Sequence, residues 1–96
     1  MKGYVYIITN DHNTTLYTGV STDLFERINQ HKKKKHSGSF TARYNVTKLV
    51  HFECFDSIGE AIKREKQIKA GSRKKKLELI NATNPNWEDL SSILQG

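Results

Sequence analysis

The sequence predicts a single α+β domain, in which strands and helices follow one another along 96 residues. Two observations support this prediction. An apolar, β-branched stretch opens the chain and a second follows after a polar turn, which is typical of a β-hairpin. Further along, an aspartate and two serines each precede a helical pattern at the N-cap position. A chain of this length buries one small core, so residues 1–96 are expected to form one domain.

Two short strands near the N-terminus form the predicted hairpin, over residues 3–9 and 14–20. Both are rich in β-branched and aromatic residues, and a four-residue polar loop separates them. With a loop of that length, Tyr6 is expected opposite Tyr17 in the antiparallel pair. This placement depends on the register, because a shift of one residue would move the two phenols to different faces of the sheet.

Each of three predicted helices begins with a capping residue. Asp23, Ser57 and Ser72 stand at the N-cap positions, and the first two are followed by a glutamate three residues later. The helices are predicted over 23–35, 58–70 and 73–82. A short last helix is predicted over 87–94.

The segment between the first two helices is predicted to contain a loop and a strand. Residues 36–45 include a Ser-Gly-Ser run and are expected to form a flexible loop. Residues 46–55 alternate between apolar and polar side chains, which is typical of a third strand. In a regular strand, Val50, Phe52 and Cys54 would lie on one face.

Positive charge is concentrated in two stretches of the chain. The 16 Lys+Arg outnumber the 10 Asp+Glu and give a formal charge of +6, and most of the basic residues fall within 27–43 and 63–76. Segregated positive charge attracts polyanions, so nucleic acid is the favoured partner. Two solvated basic faces are the alternative. An anionic membrane surface is a weaker one, because neither stretch has a wide apolar face.

Composition also excludes several classes of protein. No apolar run approaches the ~18–20 residues of a membrane span, so no membrane partner is expected. The single cysteine, Cys54, excludes an internal disulfide and a multi-cysteine zinc site. A reduced, cytoplasmic setting is therefore expected, while the oligomeric state stays open.

One acidic residue interrupts the apolar face of the second helix. The apolar stripe consists of Ile58, Ala61, Ile62 and Ile68, and Glu65 lies near its middle by helical geometry. A carboxylate that faces the core is costly unless a cation, a metal or hydrogen bonds compensate for its burial. The alternative is a glutamate at the rim of the core that pairs with a lysine.

Two pairs of side chains carry groups suited to phosphate chemistry. Arg27 and His31 are four residues apart and share one helix face, where arginine can bind phosphate and histidine can transfer a proton. Tyr6 and Tyr17, with Gly19 leaving room beside them, could form a polar floor for a ligand. Each pair also has an ordinary explanation, as an exposed polar face or as an aromatic pair that stabilises a hairpin.

Together these residues resemble the pattern of the GIY-YIG nuclease superfamily. Tyr4-Val5-Tyr6, followed about ten residues later by Tyr17-Thr18-Gly19, is similar to the two tripeptides that name the family. Arg27, His31 and Glu65 follow on successive helices in the family's order. The first tripeptide has Tyr-Val in place of Gly-Ile and the second has Thr in place of Ile, but both keep the tyrosine. The chain most resembles the small stand-alone bacterial members.

The resemblance implies a small three-stranded antiparallel sheet flanked by helices, and a phosphodiesterase that depends on Mg²⁺ or Mn²⁺. Glu65 corresponds to the family's metal-binding glutamate, and Arg27 to the arginine that holds the scissile phosphate. Tyr6 and Tyr17 correspond to the tyrosines that position or activate the attacking water, with His31 assisting. A lone carboxylate with waters and a substrate phosphate is a typical Mg²⁺ arrangement, which agrees with these roles.

The resemblance also suggests how a nucleic acid, with DNA the expected form, would be held. Gly19 corresponds to the glycine that lets the substrate approach. The two basic stretches would follow the sugar-phosphate backbone on either side of the cut, through Lys34, Lys35, Lys69 and Arg73. A metal-dependent endonuclease is therefore the leading prediction. The alternatives are a nucleic-acid-binding module with a weak or inactive nuclease site, and a domain that binds an acidic protein.

Overall fold

A computed structural model describes residues 1–34 and 38–94 and confirms the predicted α+β fold, in which helices flank a three-stranded antiparallel sheet. The strands are β1 (Gly3–Thr9), β2 (Leu16–Ser21) and β3 (Lys48–Phe55). They are ordered β2-β1-β3, and β1 pairs antiparallel with both neighbours. The N-terminal strand is therefore the centre of the sheet, which explains why it is the most apolar of the three.

Four α-helices and one short 3₁₀ helix surround the sheet. They are α1 (Leu24–Lys32), α2 (Phe40–Arg43), α3 (Ile58–Ala70), α4 (Arg73–Thr83) and the 3₁₀ helix Leu90–Leu94. The predicted capping residues Asp23, Ser57 and Ser72 each accept a hydrogen bond from the backbone N–H three residues later. In the part of the chain that is described, no helix is long and apolar enough to cross a membrane.

The sheet separates two small cores. On one face, α3 and α4 cover Val5 and Ile7 of the central strand. On the other face, α1 and the 3₁₀ helix cover Ile8, with Leu24 and Ile28 of α1 buried against it. Because β1 is buried on both faces, its alternate side chains belong to different cores.

The loop of the hairpin is longer than predicted. Thr9 pairs with Leu16, so residues 10–15 form the connection. The Asn10 side-chain oxygen accepts hydrogen bonds from the backbone N–H groups of Thr14 and Thr15, at 2.8 and 3.1 Å. Two residues predicted to begin the second strand are thereby held in the loop, because an asparagine side chain replaces their cross-strand partner.

The longer loop changes the register of the hairpin. Tyr6 lies opposite Gly19, and Tyr17 lies opposite Ile8. The predicted pairing of Tyr6 with Tyr17 is therefore wrong by two residues. A shift of two residues keeps every side chain on its original face, so the two tyrosines still share one side of the sheet.

Part of the predicted loop 36–45 forms a short helix, while residues 36 and 37 lie outside the described residues. Helix α1 ends at Lys32, and Lys34 adopts a left-handed backbone conformation with φ of 51°, which terminates a helix. The predicted helix extended to residue 35, which lies outside the described residues. Within the predicted loop, Ser39 caps α2 by accepting a hydrogen bond from the Ala42 N–H at 3.3 Å.

Strand β3 contains a β-bulge at Val50. This residue lies between Leu49 and His51, which pair with adjacent residues of β1, so it has no partner of its own. Val50 packs in the core beneath α3, whereas Phe52 packs on the opposite face. The prediction that Val50, Phe52 and Cys54 share one face is therefore wrong, because the bulge interrupts the alternation of the strand.

Candidate active site

A hydrogen-bonded row of three side chains lies where β1, α1 and α2 meet. The Tyr6 hydroxyl is 3.1 Å from His31 Nε2, and His31 Nδ1 is 3.0 Å from the Thr41 hydroxyl. Tyr6 and Thr41 are buried, with 1% and 5% of their surface exposed. Buried hydroxyl groups therefore hold the imidazole at both nitrogens and fix the orientation of its ring.

Tyr17 joins this row from the neighbouring strand. Its ring centroid is 6.5 Å from that of Tyr6 and 5.9 Å from that of His31. The structure thus brings together two phenols and an imidazole that lie on three different elements. The two-residue register shift permits this arrangement, since it leaves both tyrosines on the face covered by α1.

A cleft of about 230 Å³ opens beside the three rings. Its lining residues come from β2, α1, α2 and the segments flanking α2: Tyr17, Arg27, Gln30, His31, Lys34, Ser39, Phe40 and Thr41. Tyr17, Arg27 and His31 therefore face one cavity, whereas Tyr6 and Glu65 are not among the residues that line it. A water molecule occupies about 30 Å³ of liquid, so this volume admits a phosphate group with several waters.

The Tyr6 phenol is the most strongly perturbed acid of this site. Burial raises the pKa of Tyr6 far above its ordinary value of 10.0, the neighbouring Tyr17 raises it further, Arg27 lowers it, and Glu65 raises it. Tyr6 is consequently a neutral hydroxyl at physiological pH. The charges of Arg27 and Glu65 both act on it, so these two side chains lie within electrostatic range of the buried phenol.

Gly19 faces the Tyr6 ring across the hairpin. A Cβ atom built on Gly19 would lie 2.4 Å from the Tyr6 hydroxyl oxygen and 2.5 Å from Cζ. The glycine therefore makes room for the buried tyrosine of the neighbouring strand. The approach of a substrate backbone at Gly19, expected from the resemblance, stays a prediction.

Glu65 lies on α3, which packs on the face of the sheet opposite α1, and it does not line the cleft. Its side chain is 15% exposed, and its Oε2 is 3.3 Å from Lys69 Nζ one helical turn away. Lys69 in turn lines a shallow depression with Tyr17 and Phe40, which places the ion pair next to the second tyrosine. A glutamate at the rim of the core with a lysine partner is the alternative that the sequence left open to a core-facing carboxylate. Ile62, predicted in the buried stripe, is 37% exposed.

The divalent metal implied by the resemblance would need oxygen ligands. Among residues 1–34 and 38–94, no group of three or more His, Cys, Asp or Glu side chains is arranged to hold a metal ion. Mg²⁺ and similar ions commonly use one or two carboxylates and complete their shell with waters and substrate phosphates. Glu65 fits that mode, because its carboxylate is partly exposed and its partner Lys69 is half-exposed and therefore displaceable.

The four basic residues predicted to contact the substrate have different surroundings. Lys34 lines the cleft. Lys69 forms an ion pair with Glu65. Arg73 Nη2 donates a hydrogen bond to a backbone carbonyl of the hairpin loop at 3.0 Å, so it ties α4 to the sheet. Lys35 lies outside the described residues.

Two residues of the site escaped the sequence analysis because both lie on α2. Thr41 positions His31, and Phe40 lies beside Tyr17 with its ring centroid 6.4 Å away. The Ser-Gly-Ser run led to the prediction of a loop here, because such residues are typical of turns. Ser39 is nevertheless an N-cap residue, which is the signal that could have indicated this short helix.

One family model and several small bacterial proteins match this chain. The model of the GIY-YIG catalytic domain matches residues 2–78, which include the three rings, the cleft and Glu65. A UPF0213 protein of Syntrophus aciditrophicus is 42% identical over 79 residues, or 82% of this chain and 90% of the relative. A UPF0213 protein of Staphylococcus saprophyticus is 40% identical over 80 residues, or 83% of this chain and 95% of the relative.

A solved structure is similar over almost the whole chain. The solution NMR structure of a UPF0213 protein of Bacillus halodurans has a TM-score of 0.59 and 32% sequence identity, and the match covers 93% of each chain. The similarity therefore extends beyond the matched catalytic domain, into the segment that follows α4.

Proposed function

The chain belongs to the GIY-YIG family, and we propose that it is an endonuclease that hydrolyses phosphodiester bonds of nucleic acid, with DNA as the expected substrate and Mg²⁺ or Mn²⁺ as cofactor. One observation carries the proposal. The rings of Tyr6, Tyr17 and His31 lie within 6.5 Å of one another, and Tyr17 and His31 line a cleft together with Arg27. Such a cleft combines a phosphate-binding cation with groups that can orient and deprotonate a water molecule.

Arg27 binds the scissile phosphate in this proposal. Hydrolysis of a phosphodiester increases the negative charge on the phosphoryl oxygens, and a fixed guanidinium can stabilise that charge through two parallel hydrogen bonds. Lys34 adds a second positive charge along the same wall. The site thus favours the transition state over the ground state, because more charge lies on the oxygens in the former.

Tyr17 and His31 act on the attacking water. The water oxygen forms a bond to phosphorus, the bond to the leaving oxygen breaks, and the proton released by the water needs an acceptor. His31 is that acceptor through the Tyr6 hydroxyl, which is 3.1 Å from Nε2: the hydroxyl takes the proton of the water as it passes its own proton to the imidazole. Tyr17, on the wall of the cleft, orients the water. Tyr6 is a neutral hydroxyl before and after this transfer, because burial raises its pKa, and its hydrogen bond also orients the His31 ring.

Glu65 is the residue that would hold the divalent ion, with Lys69 displaced from its carboxylate. When bound, such an ion would offset the negative charge that develops during phosphodiester hydrolysis. Lys69 and Lys76 line the adjacent depression and extend the positive surface along the substrate backbone. We place the activity in the cytoplasm, in keeping with the single cysteine of the chain.

A nucleic-acid-binding module without turnover is the second candidate. The ion pair between Glu65 and Lys69 favours it, because a carboxylate neutralised by lysine competes poorly for a cation. Both candidates bind nucleic acid, and only the nuclease cleaves it.

Nicking of supercoiled plasmid DNA tests the proposal. The purified protein is incubated with Mg²⁺ or Mn²⁺, and open-circular DNA is measured against time with and without a chelator. The double variant Arg27→Ala/Glu65→Gln, purified in the same way, controls for a contaminating nuclease. We expect nicking by the wild type that stops with chelator and is absent in the variant. Equal nicking by both proteins, or none by the wild type while it binds DNA, would contradict the nuclease.

A further inference from the structure

Two aromatic side chains lie at the ends of α2, one on its first residue and one on the residue that follows its last. Phe40 and Tyr44 are 48% and 51% exposed, and their ring centroids are 4.9 Å apart. Phe40 is also stacked on Tyr17, with an angle of 28° between the rings. A row of three rings therefore runs outward from the candidate active site, and its outer two members are half in solvent. Neighbouring exposed aromatic rings commonly mark a binding surface.

The backbone of α2 is fixed by contacts on both sides of the helix. Thr41, on the inward side of α2, is buried and bonded to His31. After the helix, the Val46 N–H donates to the Thr41 carbonyl at 2.8 Å, and the Val46 side chain is fully buried. The backbone that carries Phe40 and Tyr44 is therefore held in place, while their rings stay half-exposed.

Basic side chains line the depressions beside the two rings, and two of them, Lys32 and Lys69, are ion-paired with Asp89 and Glu65. Phe40 lines the cleft together with Arg27 and Lys34, and it also lines the depression that contains Lys69 and Lys76. Tyr44 lines a third depression, together with Lys32 and Lys34. Aromatic faces flanked by positive charge are suited to nucleic acid, since the rings can stack on bases while the cations contact phosphates.

We propose that Phe40 and Tyr44 form a stacking platform for unpaired nucleobases next to the phosphate bound in the cleft. The inference deepens the proposed function and rests on it for the identity of the ligand. Bases inside a duplex are stacked on their neighbours, so their faces are not available to side chains. The platform therefore selects a strand that is single-stranded or locally unpaired at the cut, over a continuous duplex.

Charge alone predicts a preference for duplex over single-stranded DNA, so affinity for the two forms distinguishes stacking from electrostatic binding. A duplex has about twice the phosphate density of a single strand, so purely electrostatic binding favours the duplex. Fluorescence anisotropy with a labelled 12-nucleotide single strand and the matching duplex, both in chelator, measures affinity without cleavage. We expect the single strand to bind about tenfold more tightly. Equal or tighter binding of the duplex would overturn the platform.

Variants of Phe40 identify the ring as the cause. Phe40→Ala should weaken single-strand binding by about tenfold, and Phe40→Leu by nearly as much. Phe40→Trp should bind as tightly as the wild type, because stacking needs a flat π-face. Phe25→Ala is the matched control, since Phe25 is a 46% exposed phenylalanine of α1 that lines none of the three depressions. Circular dichroism confirms that each variant is folded. Wild-type affinity in Phe40→Ala, or an equal loss in Phe25→Ala, would overturn the proposal.

Abasic strands test the base itself. Removing two neighbouring bases from the single strand leaves its charge unchanged. The platform predicts that the wild type binds the abasic strand about tenfold more weakly than the intact strand. The double variant Phe40→Ala/Tyr44→Ala should bind the two strands almost equally. Unchanged binding of the abasic strand would overturn the platform. Because these assays exclude metal, a protein that shows the predicted affinities but never cleaves would support the platform while contradicting the nuclease.

Discussion

The α-carbon of Gly19 faces the hydroxyl end of the Tyr6 ring so closely that a Cβ at this position would lie 2.4 Å from the phenol oxygen. Side-chain atoms do not approach to that distance, and Tyr6 is fully buried with α1 packed against the same face. The glycine of the second tripeptide and the tyrosine of the first therefore form one packing unit, joined across the hairpin by the register of β1 and β2.

Gly19→Ala should destabilise the protein by about 1–3 kcal/mol, since an added methyl group in a packed site forces its neighbours to move. Urea unfolding measures the free energy. Gly38→Ala is the matched control, because a Cβ there meets nothing within 4 Å, and we expect a change within about 0.5 kcal/mol. Equal stabilities of the two variants would contradict the close contact with Tyr6.

Tyr6→Phe should change how stability depends on alkaline pH. The pKa of Tyr6 is raised in the folded state, so its contribution is fully present below the ordinary value of 10.0 and is lost as the pH rises further. The stability advantage of the wild type over Tyr6→Phe should shrink above pH 10, by about 1.4 kcal/mol per pH unit. Urea unfolding at pH 9 and pH 11 measures it. A difference that stays constant between these values would contradict the shift.

Thr41→Val should lower the cleavage rate by about 10- to 100-fold, part of the ~10²–10⁴-fold that a positioned acid or base contributes. The substitution keeps the volume but removes the hydroxyl that orients His31. Thr41→Ser restores that hydroxyl and should recover most of the activity. The pH dependence of the rate distinguishes this role from mere packing, because the profile should shift in the valine variant and return in the serine variant. A wild-type pH profile in Thr41→Val would exclude the role.

Arg27→Ala should abolish cleavage while weakening the affinity for DNA by no more than about threefold, because the other cations supply most of the non-specific attraction. Arg27→Lys keeps the charge but lacks the planar fork of guanidinium, so only a small part of the rate should return. Cleavage kinetics and anisotropy are measured on the same substrate. A large loss of affinity with retained turnover would show that Arg27 binds the substrate without acting in the reaction.

The sequence predicted the architecture well where local rules decide the structure. Helix α3 has the predicted bounds, because Ser57 caps its first turn and Gly71 follows its last residue. The hairpin register was wrong because the Asn10 side chain replaces two backbone partners, which loop length alone does not reveal. The bulge at Val50 was missed for a similar reason: it depends on the pairing of β3 with β1, and not on the residues of β3 themselves.

The site was less accessible to sequence reasoning than the fold. Arg27 and His31 share a face by helical spacing, and the resemblance supplied their order with Glu65. Thr41 and Phe40 come from a segment with a flexible composition, and their place beside Tyr17 exists only once α2 packs against α1. Tertiary contacts between distant segments leave no period in the sequence, so the mouth of the cleft could not be predicted.

Single-turnover cleavage by Glu65→Gln is the most direct test of the central claim that Glu65 and the three rings form one hydrolytic site. The variant keeps the shape of the side chain and removes the charge, and Glu78→Gln, on the exposed side of α4, is the matched control. With Mg²⁺ and saturating DNA, we predict a rate at least about 100-fold below that of the wild type for Glu65→Gln, an unchanged rate for Glu78→Gln, and equal DNA affinity in chelator. Cleavage by Glu65→Gln at the wild-type rate would contradict the account.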